Sequence, residues 1–344
     1  MLLLAGIAVG LLAVGLVKYG NPLNMGFCIA CFIRDIAGAL SLHQAAAVQY
    51  LRPEISGLII GSFLAAVFAR ELKPTGGSSP ALRFFLGIFM MVGALAFLGC
   101  PLRMILRLAG GDGNALIGLP GYILGIWIGV AFLKKGYTLG RSQTLSSANS
   151  YVGMLVGVAL LLLAVVVPSF IIYSTEGPGS MRAPLLIALA AGLLVGLLAQ
   201  RSRLCTMGAI RDIILFKDFQ LFIGWGAIFA AALAGNLIFS LFKPGFIDQP
   251  VAHTEALWNF ISLLVVGLGS VLAGGCPLRQ LVLMGEGHTD AILTVFGMAA
   301  GAAFMHNFGL AASPAGVPVN GKVAVMLALI LLVVIGTANV KATD

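Results

Sequence analysis

Long apolar runs recur from one end of the chain to the other, and they limit what it can fold into more than any other feature. The runs are about 17–25 residues long, the length that an α-helix needs to cross the hydrocarbon core of a bilayer. Of the 344 residues, 60% are hydrophobic and 9% are charged, whereas a soluble domain carries roughly 25% charged residues. We therefore predict an all-α polytopic membrane protein, with residues 1–344 forming a single integral membrane domain.

The apolar runs are interrupted in a regular way. We predict ten spanning helices, at residues 2–19, 55–70, 82–98, 116–133, 151–173, 184–200, 221–241, 257–274, 290–308 and 322–338. Four shorter segments that carry Arg or Asp lie between them, at 28–40, 101–109, 205–217 and 277–285. Because these segments are too short to cross, we predict re-entrant half-helices, which membranes tolerate only around an interior cavity. The four half-helices are expected to meet at one central constriction.

The chain contains an internal duplication. Gly-Cys-Pro-Leu-Arg occurs at residues 99–103 and again at 275–279. A second pattern, Cys-x5-Arg-Asp, begins at Cys28 and again at Cys205. The offsets between the copies are 276 − 100 = 176 and 205 − 28 = 177. Two motifs at nearly one offset indicate a single repeated unit.

The duplication predicts how the chain is organised. We assign residues 1–173 to the first repeat, with a polar joint near 141–150, and residues 174–344 to the second repeat. Each repeat has five predicted spans, and an odd number reverses the direction of the second copy. The result is an inverted repeat, a layout common among transporters, which hold substrate near the membrane midplane at half-helix N-termini.

Four cysteines occupy equivalent places in the two repeats: Cys28, Cys100, Cys205 and Cys276. Proline is favoured at the first position of a helix, so the proline after Cys100 or Cys276 predicts that each cysteine caps a short helix. Unpaired N–H groups and the positive end of the helix dipole attract anions there. A single buried cysteine is ordinarily inert packing. Four thiols at symmetric positions beside arginines instead favour contact with a substrate, and we predict all four as substrate-binding residues.

Cys31 lies outside the duplicated pattern, because its counterpart at position 208 is glycine. The spacing Cys28-x-x-Cys31 is typical of redox and metal motifs, and packing alone is an equal alternative. A structural zinc site usually needs two closely spaced cysteine pairs, and the chain has one. We predict no metal and no cofactor.

An arginine follows each of the four paired cysteines: Arg34, Arg103, Arg211 and Arg279. An arginine at membrane depth is costly and usually faces a cavity or an acidic partner. One interpretation is a set of ion pairs across the repeat interface, although Arg34 and its neighbour Asp35 are not expected to face each other in a helix. The other is an electropositive vestibule that attracts anions. We predict these four arginines as substrate-binding residues.

Several polar residues follow the half-helices or interrupt a span. Asp112, Glu286 and Asp290 are expected to be solvated loop acids, with proton coupling as the alternative. His306 interrupts the ninth span and is a candidate proton site.

Basic residues predict the orientation of the chain. With ten spans, ten Lys and Arg residues, from Arg70 to Lys341, fall on the side of the N-terminus, against five on the opposite side. Positive residues are enriched in cytoplasmic loops, so both termini are expected in the cytoplasm.

The two motif pairs and the duplicated ten-span pattern resemble the YeeE/YedE family of bacterial inner-membrane sulfur-compound transporters. The stretch Gly-Phe-Cys-Ile-Ala-Cys-Phe-Ile-Arg-Asp at residues 26–35 is most similar to the YedE branch, which is associated with selenium metabolism. The resemblance implies an hourglass-shaped protein that takes up thiosulfate or a related anion, passed between cysteines by weak S–H hydrogen bonds. Those cysteines correspond to Cys28, Cys100, Cys205 and Cys276. It also implies a small TusA-like cytosolic sulfur carrier as partner. The basic residues are scattered through the membrane segments and not clustered on one face, so we predict no nucleic-acid partner.

We therefore predict a transporter, not an enzyme, that imports a sulfur- or selenium-containing anion across the bacterial inner membrane. The first alternative is a membrane thiol–disulfide oxidoreductase that uses Cys28 and Cys31. The second is a metal transporter with cysteine ligands. It would need carboxylates beside the thiols, where Cys100 and Cys276 are followed by arginines instead.

Overall fold

The computed structural model describes residues 1–340, so Lys341 lies outside the described residues. Within them, ten long helices alternate with four short ones. The long helices are α1 (Leu2–Lys18), α3 (Pro53–Phe68), α4 (Pro80–Phe97), α6 (Gly113–Lys134), α7 (Val152–Val166), α8 (Leu185–Ser202), α10 (Gln220–Ile238), α11 (Ala256–Leu272), α13 (Thr289–Asn307) and α14 (Val319–Ala338). The short helices are α2 (Ile29–Ala39), α5 (Pro101–Ala109), α9 (Thr206–Phe216) and α12 (Pro277–Gly285).

The long helices suit a bilayer in length and composition. Eight helical segments of the described chain are long and apolar enough to cross a membrane. Three of them continue through a break into a short helix: Pro80–Ala109, Leu185–Phe216 and Ala256–Gly285. Two further apolar helices, α1 and α3, have 17 and 16 residues. The predicted all-α polytopic membrane fold is confirmed.

The connections between helices gather at two ends of the molecule. At one end Arg52, which precedes α3, donates hydrogen bonds to the carbonyls of Pro178 and Met181 at 2.9 and 3.2 Å. At the other end Lys73, which follows α3, donates its backbone N–H to the carbonyl of Glu286 at 3.1 Å. We call these ends the Arg52 face and the Glu286 face.

The main helix contacts join one repeat to the other. Helix α3 packs on α8, and its equivalent α10 packs on α1, the equivalent of α8. In the same way α4 packs on α13, and α11 packs on α6. The four large interfaces therefore form two symmetric sets, and each set crosses between the repeats.

The two repeats run in opposite directions. Helix α1 ends where α8 begins, because the N–H of Ala183 donates to the side chain of Asn21 at 2.9 Å. Helix α8 ends at the Glu286 face, where Arg203 pairs with Glu286 at 3.2 Å. Since α8 is the equivalent of α1, the second repeat is inverted relative to the first.

Glycine allows the crossing helices to approach closely. A Cβ atom added at Gly61 of α3 would collide with the carbonyl oxygen of Leu193 in α8. One added at Gly196 of α8 would collide with the carbonyl of Leu58 in α3. Small residues at such crossings let backbones pack against each other where lipid gives no hydrophobic driving force.

The fifth helix of each repeat breaks the symmetry. Helix α7 packs on α3, whereas α14 packs on α4 and α11. The segment before α7 is also ordered: strand β2 (Gln143–Thr144) pairs antiparallel with strand β1 (Thr75–Gly76), and a short 3-10 helix follows at Ser147–Tyr151.

Candidate functional site

Each of the four short helices is N-capped by a cysteine. The caps are Cys28 of α2, Cys100 of α5, Cys205 of α9 and Cys276 of α12. The Sγ atoms of Cys28 and Cys205 each accept a backbone N–H from three residues further on, at 3.3 Å. Cys100 and Cys276 precede a proline, as expected, and make no side-chain cap bond. All four are free thiols and buried.

Three thiols meet in the first repeat. The Sγ atoms of Cys28 and Cys31 lie 2.7 Å apart. Cys100 is within hydrogen-bond contact of Cys28 and of the backbone N–H of Ala30. We call Cys28, Cys31 and Cys100 the first-repeat thiol cluster. The duplicated pattern predicts two of its members, and the structure adds Cys31 in direct contact with them.

Two thiols meet in the second repeat. The Sγ atoms of Cys205 and Cys276 lie 3.7 Å apart. The hydroxyl of Thr206 contacts Cys276 and lies 3.2 Å from the hydroxyl of Tyr122. Tyr122 is fully buried and lies close to Cys100 as well as to this pair.

The four short helices come together as predicted. Helix α5 contacts α9, and α2 contacts α12, so the half-helices of the two repeats meet. Tyr122 lies near this meeting point and was missed by the sequence analysis. Its only signal in the sequence is a phenol inside an apolar span, which needs a hydrogen-bond partner when buried.

Arg103 is fully buried beside the first-repeat thiol cluster. The oxygen atoms that accept hydrogen bonds from its guanidinium are all backbone carbonyls: those of Asn24, Leu98, Pro250 and Val251. Its Nη1 lies 3.8 Å from the Sγ of Cys31. Within residues 1–340, no carboxylate is within ion-pair distance of Arg103. Backbone carbonyl dipoles, and not a carboxylate, therefore stabilise this guanidinium next to the thiols.

Arg34 belongs to a buried ionic network. Asp35 lies 2.7 Å from both Arg34 and Arg52, and all three side chains are buried. The expectation that Arg34 does not face its neighbour Asp35 is wrong here, because the long guanidinium group reaches back to the adjacent carboxylate. The network carries two positive charges and one negative charge, so it leaves this region electropositive.

The two arginines of the second repeat are more accessible. Arg211 pairs with Asp212 at 2.7 Å, and its side chain is 31% exposed. Arg279 pairs with Glu286 at 3.0 Å, and Glu286 also pairs with Arg203. Of the four predicted arginines, Arg34 and Arg103 therefore lie inside the molecule, and the other two lie towards the Glu286 face.

The predicted loop acids are mostly structural. Asp112 pairs with buried Arg107 at 2.6 Å and caps helix α6 through the N–H of Asn114. Asp290 accepts hydrogen bonds from Ser78 and from the backbone N–H of Gly77. Asp112 therefore holds the start of α6, and Asp290 holds the connection at residues 77–78.

Within the described part of the chain, no three His, Cys, Asp or Glu side chains are arranged to hold a metal ion.

Inverted helical repeats whose half-helices meet at buried groups define a class of polytopic membrane proteins to which many transporters belong. The family model described as sulphur transport matches residues 201–341. The second half of the chain is thus similar to this family, and the resemblance to YeeE/YedE proteins predicted from the sequence is confirmed.

Two curated relatives share part of the chain. It is 40% identical over 103 residues to the thiosulfate transporter TsuA of Spirochaeta thermophila, which covers 30% of this chain and 31% of the relative. It is 29% identical over 116 residues to the thiosulfate transporter TsuA of Escherichia coli, covering 34% of this chain and 32% of the relative. The matched segments thus span about a third of the length of each of these proteins.

Proposed function

We propose that this protein is a bacterial inner-membrane transporter that imports a small sulfur- or selenium-containing anion. The observation that carries the proposal is the meeting of four cysteine-capped half-helices, with buried Arg103 beside three of the thiols. The family match and the names of the two relatives support the same class of substrate. In the proposed orientation the Glu286 face and both termini are cytoplasmic.

The chemistry of the site suits an anion with two different ends. Thiosulfate and its selenium analogues carry a soft, polarisable terminal atom on a hard oxyanion head. Arginines and helix N-termini stabilise the head, while thiols match the soft end. Sulfate offers only hard oxygens, so a series of thiols discriminates against it. Several weak sites in a row also let the ion leave again, as conduction requires.

Each repeat, residues 1–173 and residues 174–344, contributes half of the proposed pathway. The proposed substrate contacts are Cys28, Cys100, Cys205, Cys276, Arg34, Arg103, Arg211 and Arg279. An ion from the Arg52 face would pass the first-repeat thiol cluster, then the Cys205–Cys276 pair, then Arg279. On the cytoplasmic side we propose a small TusA-like sulfur carrier as the acceptor.

Uptake by purified protein in liposomes tests the proposal. Labelled thiosulfate, selenite and sulfate are offered separately, with protein-free liposomes as the control. We expect uptake of thiosulfate or the selenium anion, and exclusion of sulfate. Absence of uptake for both chalcogen anions, or equal uptake of sulfate, would contradict the proposed function.

Arg279→Gln is expected to raise the KM for uptake about tenfold, equal to roughly 1.4 kcal/mol of lost binding, with little effect on folding. Arg279 is partly exposed, and its buried partner Glu286 keeps its ion pair with Arg203 when Arg279 is lost, so no buried charge is left unpaired. Arg211→Gln is the matched control at the more exposed position, and a smaller change in KM is expected there. A wild-type KM for Arg279→Gln would show that Arg279 does not contact the transported anion.

A second candidate function rests on the 2.7 Å separation of the Cys28 and Cys31 Sγ atoms. In a thiol–disulfide oxidoreductase, these two thiols would lose two protons and two electrons to an external disulfide, which is reduced to two thiols as the Cys28–Cys31 bond forms. Under the proposed transport function, Cys31→Ala should still support at least about half of the wild-type uptake. The variant keeps Cys28 and Cys100, which is the same number of thiols as the second repeat has. Complete loss of activity in Cys31→Ala would favour the oxidoreductase.

A further inference from the structure

A vestibule opens on the Arg52 face. It has a volume of about 270 Å³, and its lining includes Arg34, Val48, Leu98, Val251, His306 and Ser313. The connections at residues 40–52 and 308–316 and the end of α13 form most of its wall. Arg34 of the buried ionic network gives it a positive lining.

Leu98 connects the lining of this vestibule to the thiol cluster along the chain. It lines the vestibule and stands two residues before Cys100 in the chain. Its carbonyl accepts a hydrogen bond from Arg103, whose Nη1 lies 3.8 Å from the Sγ of Cys31. The same guanidinium bonds the carbonyl of Val251, another lining residue. Arg103 therefore contacts both the vestibule lining and the thiol cluster.

The backbone of Leu98 is in a conformation that leucine rarely adopts. Its φ is +63°, in the left-handed region where a Cβ atom crowds the backbone. The equivalent residue of the second repeat, at 98 + 176 = 274, is Gly274, with a φ of +80°. Both repeats thus make the same bend before the cysteine. Only the first repeat places a side chain there, against the local preference for glycine.

The two positions also differ in their surroundings. Leu98 is 3% exposed, whereas Gly274 is exposed, and a Cβ atom added to it would meet open space. The space next to the bend is therefore open at Gly274, whereas Leu98 fills the equivalent place in the first repeat. A side chain held in an unfavourable conformation at one of two equivalent bends points to a function for that side chain.

We infer that the Leu98 side chain is a gate that closes the passage from the Arg52-face vestibule to the first-repeat thiol cluster. Displacing it would open the vestibule to Cys28, Cys31 and Cys100. Because Arg103 donates a hydrogen bond to the Leu98 carbonyl, a movement of Leu98 would also shift Arg103. The inference rests on the proposed function only for the identity of the ion that passes.

The test measures thiol accessibility and needs no transport. Purified wild type and Leu98→Ala, in lipid nanodiscs, react with a charged methanethiosulfonate reagent, and mass spectrometry reports the modification of each cysteine. In Leu98→Ala, we expect Cys28 or Cys100 to react at least about tenfold faster, which corresponds to a barrier lower by ~1.4 kcal/mol. Cys276 should react at its wild-type rate.

Two further variants complete the test. Val48→Ala removes bulk elsewhere in the vestibule lining and should leave the reaction of Cys28 and Cys100 unchanged. Leu98→Gly removes the side chain and also the energetic cost of a positive φ at this position. It therefore serves as the second test variant if Leu98→Ala folds poorly. Unchanged rates in both Leu98 variants, or an equal rise at Cys276, would overturn the gate. Absence of ion uptake by the wild type would instead contradict the proposed function and leave this result standing.

Discussion

Cys276→Ala is expected to reduce anion uptake to the level of empty liposomes while the protein still folds. Cys276 supplies one of the two thiols of the second repeat, 3.7 Å from Cys205, so alanine breaks the series of soft contacts at this point. The change removes one sulfur atom from a buried site and should lower the free energy of unfolding by only about 1 kcal/mol. Uptake of labelled thiosulfate and helix content by circular dichroism measure the two effects.

The serine variant separates softness from hydrogen bonding at the same position. Cys276→Ser keeps a small donor group but replaces the polarisable sulfur by a hard oxygen. It should transport nearly as poorly as the alanine variant. Cys100→Ala tests the equivalent position of the first repeat. Full uptake by both Cys276→Ala and Cys100→Ala would show that the thiols carry no substrate.

Asp35→Asn is expected to destabilise the fold by about 3–5 kcal/mol, because it leaves two buried guanidinium groups without their counter-ion. Asp35 lies 2.7 Å from both Arg34 and Arg52, and the Asp35 and Arg52 side chains are wholly buried. Arg52 is held in place by the carbonyls of the Arg52 face, so it cannot turn towards solvent. Thermal unfolding in detergent, followed by circular dichroism, measures the loss.

The internal repeat supplies a matched control for this prediction. Asp212 is the equivalent of Asp35, but its partner Arg211 is 31% exposed and no second arginine lies within ion-pair distance of it in residues 1–340. Asp212→Asn should therefore cost no more than about 1 kcal/mol, as expected of a pair near solvent. Equal losses in the two variants would mean that burial of the Asp35 network contributes little.

The helices could be predicted closely, because a bilayer fixes how long an apolar helix must be. The first span was predicted at residues 2–19 and is observed at Leu2–Lys18. The fifth was predicted at 151–173, but α7 ends at Val166. Val167 takes a φ of +45° and Pro168 follows, while the chain stays apolar for several more residues. Hydropathy detects a membrane environment and not the point at which the backbone leaves the helix.

The site could be predicted only in part. The duplicated motifs identified the capping cysteines, because a repeated residue type at one offset is visible in a single sequence. The partners of Arg103 are backbone carbonyls, which every residue carries and no sequence pattern marks. The contact of Cys31 with Cys28 depends on rotamers at a helix N-terminus. The bend at Leu98 could not be expected, since the residue itself disfavours it.

The crossed packing of the repeats has a consequence for synthesis. Helices α1, α3, α4 and α6 leave the ribosome first, yet their large interfaces are with α10, α8, α13 and α11. Each early helix therefore enters the lipid before the second-repeat helix that it packs against has been synthesised. The half-helices α2 and α5, which carry charges that are buried in the complete protein, are also synthesised before the second repeat. Assembly is therefore completed only late in translation, and the first half made alone would lack its four largest helix interfaces.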